Sequence, residues 1–257
     1  MKILVRKAKS AAFHARHLLG LGTLPNALII GAAKCGTTSL FEYLAQHPNA
    51  CAARSKELRF LDQQWDPGRV RWYAAHFAAS RRHLVSFEAT PGYLLHPEAP
   101  ARAHSLLPDV RLIVMLREPV ARAYSYWNHR RDEGTETLSF EEAIEAEDGR
   151  KRAFWYVQGG MYAEQISRWL RYYPPSSFLF IKSEDFYRSP AAELERVTEF
   201  LGLPGHPFRD LTPRNRRSYP APLHPATRTM LEPRFAESNA RVAELTGISW
   251  PAAPTPS

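Results

Sequence analysis

One stretch near the start of the chain limits the possible folds most strongly: Asn26-Ala27-Leu28-Ile29-Ile30-Gly31-Ala32-Ala33-Lys34-Cys35-Gly36-Thr37-Thr38-Ser39-Leu40. It begins as an apolar run, continues as a loop of small residues with one lysine, and ends in hydroxyl residues that are typical of a helix start. This order predicts a strand, a loop and a helix. The first N–H groups of such a helix have no intrahelical partner, and the helix dipole adds positive charge. The loop is therefore a predicted site for a phosphate or sulfate group.

The loop differs from the Walker A loop of nucleotide hydrolases. Walker A reads G-x-x-x-x-G-K-[ST], with the lysine after the second glycine. Gly31 and Gly36 have this spacing, but Thr37 stands in the place of the lysine, which lies inside the loop as Lys34. The pattern Gly-x-x-Lys-x-Gly-Thr-Thr-Ser-Leu instead resembles the 5′-phosphosulfate loop of sulfotransferases that use 3′-phosphoadenosine 5′-phosphosulfate (PAPS). It is most similar to the carbohydrate branch, typified by the heparan sulfate enzymes. For this stretch alone, an ordinary Gly-rich turn is the alternative.

The resemblance implies a role for each loop residue. Backbone N–H and hydroxyl groups are expected to bind the 5′-phosphate. Lys34 is expected to act in catalysis, neutralising charge on the bridging oxygen as 3′-phosphoadenosine 5′-phosphate (PAP) leaves. The loop residues expected to bind PAPS are Lys34, Cys35, Gly36, Thr37, Thr38 and Ser39.

A second motif follows a predicted short strand at 50–53. Its sequence is Arg54-Ser55-Lys56-Glu57-Leu58-Arg59-Phe60-Leu61-Asp62, in which a carboxylate is flanked by three cations and followed by apolar residues. The family carries Lys-Glu-x-x-Phe-Phe-Asp here, and its glutamate is the catalytic base. The resemblance therefore assigns this role to Glu57, which would take a proton from the acceptor. Without the loop upstream, a solvated charge cluster is the preferred interpretation.

The next motif departs from the family at one position. The chain has Glu88-Ala89-Thr90-Pro91-Gly92-Tyr93, where the family reads Glu-Lys-[Ser/Thr]-Pro-x-Tyr. The family's lysine faces the acceptor, and Ala89 replaces it, so the identity of the acceptor stays open. Glu88 either supports the site or is structural.

A third motif follows the most strand-like run in the chain, Arg111 to Leu116. Arg117 comes directly after this run, at the strand end where ligands of open parallel sheets bind. A predicted helix at 120–131 carries Ser125. The planar fork of an arginine suits a phosphate. The pattern Arg-x-Pro-x-x-Arg-x-x-Ser resembles the family's 3′-phosphate-binding segment, which implies that Arg117 and Ser125 bind the 3′-phosphate of PAPS. The alternative is an arginine that ends a strand and a small buried serine.

The densest basic run is Arg214-Asn215-Arg216-Arg217-Ser218-Tyr219-Pro220. It loosely resembles the family's C-terminal loop, Lys-Gly-Arg-x-Tyr-Pro, which closes over the PAPS phosphates. The expected contacts are Arg216, Arg217 and Ser218, and a solvated basic loop is the alternative.

The periodic segments predict an α/β fold: a single P-loop-like domain with a central, mainly parallel sheet of about five strands, flanked by helices on both faces. The expected divisions are a basic N-terminal arm (1–24), a sulfotransferase domain (25–250) and a disordered tail (251–257). The arm is expected to be frayed, with a weakly amphipathic membrane-surface helix as the alternative. The last helix is expected to begin at Pro233.

Composition narrows the class of partner. The chain has 257 residues and a net charge of +8, which favours anionic ligands. It has two cysteines, one of them in the loop, so a disulfide scaffold is not expected and a reducing cytoplasm is the default. No apolar run approaches the ~20 residues of a membrane span. Without an anchor, the setting is expected to be cytoplasmic and bacterial, with weak membrane-surface contact at most.

Three motifs in the family's order predict a sulfotransferase that moves a sulfuryl group from PAPS to a hydroxyl or amine acceptor and releases PAP. The expected acceptor is a carbohydrate, on a glycan or glycolipid, and a hydroxylated natural product comes second. No acidic group has a magnesium-ligand context, so no metal is expected, and no nucleic acid partner is expected. Two alternatives remain: a P-loop kinase or NTPase, and a non-catalytic binder of acidic polymers.

Overall fold

The fold is built on one parallel sheet. A computed structural model describes residues 2–78, 83–214, 219 and 221–251, with side chains described from residue 11 onward except at 153. The strands are β1 Ala27–Gly31, β2 Ala50–Ala52, β3 Val85–Ala89, β4 Arg111–Leu116 and β5 Phe178–Lys182. Their order across the sheet is β2-β3-β1-β4-β5, and every neighbouring pair is parallel. The predicted fold class, with about five mainly parallel strands, is confirmed.

The helices occupy the connections between the strands. In chain order they are α1 Lys2–Leu19, α2 Thr37–Leu44, α3 Val70–Ala74, α4 Gly92–Leu95, α5 Ala99–Leu106, α6 Pro119–Asp132, α7 Phe140–Glu145, α8 Tyr162–Leu170, α9 Ser183–Arg188, α10 Pro190–Leu201 and α11 Pro225–Thr246. Crossovers between parallel strands are right-handed. The connection from β1 to β2 runs across the sheet in the opposite direction from those that lead to β4 and β5. The flanking helices therefore lie on both faces of the sheet.

This topology fixes where a ligand can bind. The chain leaves β1 towards one face and leaves the adjacent β4 towards the other, so the loops after these two strands diverge. A crevice opens at such a point, outside the carboxyl ends of the strands. The register between β1 and β4 shifts between Ile29 and Gly31, where β1 gives way to its loop.

The sheet is buried on both sides, as its apolar sequence predicts. All five residues of β1 and of β3 are buried, and in β4 only Arg111 is exposed. Trp169 and Ile166 of α8 are fully buried and belong to the main hydrophobic core. A second, smaller core packs α6, α7 and α11 together around Trp127 and Phe235.

The expectation for the start of the last helix was wrong. The last helix begins at Pro225, eight residues before the predicted Pro233, and Pro233 lies inside it. The Nδ1 atom of His224 accepts the N–H of Ala226 at 3.3 Å and caps this end. Leu231 and Phe235, on either side of the proline, are buried in the second core. This packing supports the helix through a residue that lacks an N–H donor.

The arm that was expected to be frayed is a helix, α1, and its second half is packed. Phe13 is buried, and its ring centroid lies 4.7 Å from that of His76. Nε of Arg16 donates to the carbonyl of Ala75 at 3.1 Å. At the other end, Trp250 donates to Glu184 at 3.3 Å, and the tail from residue 252 lies outside the described residues. The division of the chain at 24/25 and 250/251 stays a prediction.

Candidate functional site

The predicted site residues follow four adjacent strands of the parallel sheet. Lys34 follows β1, Glu57 follows β2, Glu88 lies near the end of β3, and Arg117 follows β4. Since the carboxyl ends of parallel strands meet at one edge, the three sequence motifs converge there. The crevice between the β1 and β4 loops lies at the centre of this edge.

The loop after β1 has the backbone of an anion site. Lys34 has a φ of 72° and Gly36 a φ of 98°. Gly36 occupies the N-cap position of α2 and brings no side chain to cap it. A Cβ atom at Gly36 would lie 2.9 Å from the Tyr187 hydroxyl and 3.2 Å from Cε of Met115. The positive φ favours glycine here, a Cβ atom would also require the ends of the Tyr187 and Met115 side chains to shift, and no side chain caps the helix N-terminus.

The same loop is held from behind by buried contacts. The N–H of Ala32 donates to the carbonyl of Met115 at 2.7 Å, and the Ser183 hydroxyl donates to the carbonyl of Cys35 at 2.6 Å. Cys35 is fully buried, its sulfur lies 3.7 Å from the Tyr162 hydroxyl, and its N–H is donated to Ala32. Burial raises the pKa of the Cys35 thiol. The described contacts of Cys35 therefore fix the shape of the loop.

Arg117 connects the β4 end to this loop. Its Nη1 atom donates to the carbonyl oxygen of Lys34 at 3.5 Å, and its own carbonyl accepts the Tyr162 hydroxyl at 3.0 Å. Ser125 lies farther along α6 and is 3% exposed. Arg117, the first residue of the predicted 3′-phosphate pair, is thus in contact with the loop after β1. Ser125, the second residue of the pair, is buried within α6.

The C-terminal loop lies close to residues on both sides of the crevice, one in α2 and one after β4. The N–H of Arg214 donates to the Ser39 hydroxyl at 2.9 Å, so this hydroxyl joins α2 to the loop. Burial opposes the charge of Arg117, but the Tyr219 side chain beside it raises the pKa of the guanidinium, and the Tyr219 ring centroid lies 5.6 Å from that of Tyr124. The predicted contacts are Arg216, Arg217 and Ser218. They come between Arg214 and Tyr219 in the sequence and are outside the described residues.

The predicted base lies beside a lysine. Oε1 of Glu57 is 3.5 Å from Nζ of Lys56, and their side chains are 34% and 14% exposed. Burial lowers the pKa of Lys56, and the carboxylates of Glu57 and Glu88 oppose this shift.

Glu88 is buried, and both of its oxygens are occupied. Oε1 accepts the hydroxyls of Tyr73 and Tyr93 at 2.7 and 2.8 Å, and Oε2 accepts that of Thr90 at 2.7 Å. Burial raises the pKa of Glu88, and these three hydrogen bonds oppose the shift. With 1% exposure the carboxylate cannot reach a substrate in the crevice.

The partners of Glu88 hold the segment that carries Glu57. The N–H of Phe60 donates to the Tyr93 hydroxyl at 2.9 Å, and the N–H of Arg59 donates to Oγ1 of Thr90 at 3.3 Å. The two motifs on neighbouring strands are thereby joined through hydroxyls that Glu88 orients. Of the two sequence interpretations of Glu88, the structure shows a buried support.

Sequence reasoning gave no role to Arg122, the second arginine of the α6 motif. Arg122 is 2% exposed, and its Nη2 atom donates to the carbonyls of Trp155, at 3.4 Å, and Tyr156. A Cβ atom at Gly159 would lie 2.8 Å from the same nitrogen. This buried cation supports the segment that leads into α8 and Tyr162. No local pattern signals this role, because Arg122 is two residues from Val120 and one from Ala123, spacings that do not share a helix face.

A glycine-capped helix start, a lysine inside the loop before it and an arginine from the adjacent strand have the arrangement of a phosphate-binding loop in an α/β protein. The sequence matches the family model of the sulfotransferase domain over residues 24–214, and the chain belongs to this family. Neither the kinase nor the polymer-binder alternative is supported by this match.

Relatives with named activities indicate which branch of the sulfotransferase family this chain is similar to. Heparan sulfate glucosamine 3-O-sulfotransferase 6 of Mus musculus is 37% identical over 189 residues, which cover 72% of this chain and 54% of that protein. The bifunctional heparan sulfate N-deacetylase/N-sulfotransferase 3 of Homo sapiens is 33% identical over 71% of this chain and 23% of its own length. The resemblance to PAPS-dependent carbohydrate sulfotransferases is confirmed. The chain spans about half the length of the 3-O-sulfotransferases that it matches.

A solved structure agrees over almost the whole chain. The sulfotransferase from Alicyclobacillus acidocaldarius superposes with a TM-score of 0.79 and 29% identity, covering 88% of this chain and 97% of that one. None of the helices in the described part of the chain has the length and apolarity needed to cross a bilayer. The expectation that no metal takes part stays a prediction.

Proposed function

We propose that this chain transfers a sulfuryl group from PAPS to a hydroxyl or amine group of a carbohydrate and releases PAP. The observation that carries the proposal is the contact between Arg117 and the carbonyl of Lys34, with the Glu57 segment at the same sheet edge. Sulfuryl transfer resembles phosphoryl transfer, in which positioning and charge stabilisation supply most of the catalysis. A site of fixed N–H groups and two cations is suited to that task.

The loop and α2 are assigned to the sulfated end of PAPS. Gly36, Thr37, Thr38 and Ser39 bind the 5′-phosphate through main-chain N–H and hydroxyl groups. The Ser39 hydroxyl accepts from Arg214 and keeps its proton to donate. Lys34 neutralises the charge that develops on the bridging oxygen as its bond to sulfur breaks. Cys35 supports the loop from behind and makes no side-chain contact with PAPS in this proposal.

The β4 end is assigned to the 3′-phosphate. Arg117 supplies the planar donor pair and Ser125 a hydroxyl from α6. Arg216, Arg217 and Ser218 close over the phosphates from the C-terminal loop. The anchors on either side of them, Arg214 at Ser39 and Tyr219 at Arg117, support this assignment.

Glu57 is assigned to the acceptor. It takes the acceptor's proton while the acceptor oxygen or nitrogen forms its bond to sulfur and the sulfur–oxygen bond to PAP breaks. A carboxylate is a weak base for a hydroxyl group, so proton transfer late in the reaction is required. Glu57 does not need to bind PAP for this role.

The acceptor is proposed to be a sugar hydroxyl on a glycan or glycolipid. The support is the named action of the relatives on heparan sulfate. Ala89 stands where the family has an acceptor-facing lysine, so an acceptor other than a heparan-type polymer is included in the screen. Arg59 is the first cationic residue after Glu57 in the sequence. Its side chain is 40% exposed, and its Nη2 atom lies 3.4 Å from Oδ2 of Asp62.

Transfer of labelled sulfate from PAPS to a panel of glycans, glycolipids and hydroxylated natural products tests the proposal. We expect transfer to at least one sugar acceptor, and a loss of about 100-fold or more in Glu57→Gln. PAP should bind this variant as tightly as the wild type. Glu145→Gln, at an exposed position on α7, is the matched control. Loss of PAP binding in Glu57→Gln would make Glu57 structural, and no transfer to any acceptor would contradict the proposal.

A bacterial cytoplasmic setting is proposed as well. The support is the bacterial origin of the matched structure and the two free cysteines, Cys35 and Cys51, since free thiols persist in reducing compartments. Alkylation of both thiols in protein denatured directly from cells is the expected result. Exposed Leu18, Leu19 and Leu21 support weak contact with a membrane surface, which sedimentation with anionic vesicles tests.

A further inference from the structure

A second pocket lies away from the phosphate loop, between α1 and the segment that follows β2. Its volume is about 370 Å³, within the range of small-molecule sites. Arg16 of α1, Arg54 after β2 and His76 after α3 supply its polar lining, and small alanines supply most of the rest. None of these three residues takes part in the reaction proposed above.

His76 is the buried polar group of this pocket. It is 7% exposed, and neither ring nitrogen has a hydrogen-bond partner among the described groups. Its ring is held between Phe13 and Trp72, at centroid distances of 4.7 and 4.6 Å. Its main chain is fixed as well, because its carbonyl accepts the N–H of Arg54 at 2.9 Å. An unsatisfied buried donor costs about 1–3 kcal/mol, so a rigid, unpartnered imidazole indicates a missing ligand.

The charges around the ring are positive. Burial, and then Arg54 and Arg16, lower the pKa of His76 to about 4, and no carboxylate contributes. Within the described part of the chain neither guanidinium is paired with a carboxylate. The Cζ atom of Arg54 lies 4.9 Å from the centroid of the Phe13 ring, and Nε of Arg16 is bonded to the carbonyl of Ala75. Both arginines are thus positioned by neutral partners and keep donors for an anion.

We propose that this pocket binds a small molecule through an oxyanion, that is, a sulfate, phosphate or carboxylate group. The guanidinium groups of Arg16 and Arg54 supply charge and paired donors, and the imidazole of His76 supplies a third donor. The alanine lining accommodates an apolar portion of the ligand, because the volume exceeds that of the oxyanion alone. The proposed function assigns no role to any of these three residues, and this proposal does not rest on that function.

The test observes His76 directly. The ring resonances are assigned by comparison with His76→Gln, and the protein is saturated with PAP so that the phosphate loop cannot bind the probe. Inorganic sulfate, phosphate and acetate are then titrated separately, with sodium chloride holding the ionic strength constant. We expect a saturable, single-site change in the His76 resonances, and the rank of the three anions identifies the preferred group. No saturable change with any of them overturns the proposal.

Charge-removing variants distinguish a built site from general attraction. Arg16→Gln and Arg54→Gln are each expected to weaken the anion at least tenfold, while Arg71→Gln, at an exposed position on α3, leaves it unchanged. If all three variants weaken anion binding equally, the proposal is overturned. It is also overturned if the pocket binds none of the three anions. The thermal midpoint of each variant shows whether it is folded. If PAP does not bind, the proposed function fails, but the His76 titration without PAP still reports this pocket.

Discussion

Arg117 at the end of β4 donates to the main-chain oxygen of Lys34, in the loop after β1, at 3.5 Å. These residues are 83 positions apart, and the contact spans the crevice where the chain leaves the sheet in opposite directions. In the proposed reaction the loop holds the 5′ end of PAPS and Arg117 the 3′-phosphate. This contact therefore links the two proposed phosphate-binding groups directly.

Gly36→Ala tests whether the loop requires its glycine. The substitution puts a Cβ atom 2.9 Å from the Tyr187 hydroxyl, at a φ of 98° that itself costs an L-residue about 1–2 kcal/mol. We expect PAP affinity, measured by calorimetry, to fall at least tenfold. Gly134→Ala is the control, because Gly134 also has a positive φ but nothing within 4 Å of the new atom. Unchanged PAP affinity in Gly36→Ala would contradict the role of the loop.

Lys34→Ala tests the leaving-group role. The loss of one charge-stabilising donor typically lowers kcat by about 10²–10³-fold, and we expect this fall in steady-state sulfate transfer. KM for the acceptor should change little, because Lys34 is not assigned to acceptor binding. Lys151→Ala removes the same charge at an exposed position and should leave kcat unchanged. A near-normal kcat in Lys34→Ala would rule out this role.

Glu88→Ala tests the buried support beneath the catalytic segment. It leaves the hydroxyls of Tyr73, Tyr93 and Thr90 without their acceptor, and we expect urea unfolding to show a loss of about 3–5 kcal/mol. Glu88→Gln should cost less, because its amide oxygen can still accept from both tyrosines. Wild-type stability in Glu88→Ala would show that the network does not hold this segment.

Glu136 makes stability depend on pH at the acid end. Burial opposes its ionisation, but bonds from Arg150 and Tyr156 prevail and lower its pKa from 4.5 to about 2. Because the folded pKa lies below the unfolded value, the stabilisation is complete above pH 4.5 and is lost as the pH falls towards 2. It amounts to about 3 kcal/mol. Urea unfolding from pH 2 to 6 should show this loss in wild type and in Glu145→Gln, but not in Glu136→Gln. An identical pH profile in Glu136→Gln would contradict the assignment.

Local sequence was sufficient for the sheet and for the ligand-binding loops. Arg111–Leu116 is an apolar run that follows a turn signal, and this strand has the predicted bounds. The loop around Lys34 carries its own conformation, since the glycines and the hydroxyl residues that specify it are adjacent. Such features depend on neighbours in sequence, so a pattern of residues is enough to predict them.

The supports of the site depend on contacts between distant residues, which a pattern does not contain. Tyr73 reaches Glu88 from another element, and Arg122 bonds carbonyls more than thirty positions away. α11 begins before Pro233 because the second core holds it, and helix propensity alone predicts a start at the proline. The packing of Phe13 on His76, which shapes the second pocket, is likewise visible only in three dimensions.

The central claim is that the crevice between the β1 and β4 loops binds the 3′-phosphate of PAPS and thereby distinguishes PAP from ADP. Thermal unfolding with PAP, ADP and ATP–magnesium in parallel tests it most directly. At 100 times its Kd, PAP should stabilise the protein by about 2.7 kcal/mol, a rise in Tm of about 5–10 °C. ADP should have little effect, because it lacks the 3′-phosphate, and Arg117→Ala should abolish the difference between PAP and ADP. Equal stabilisation by PAP and ADP, or a larger shift with ATP–magnesium, would contradict the assignment of Arg117 and the proposed function with it.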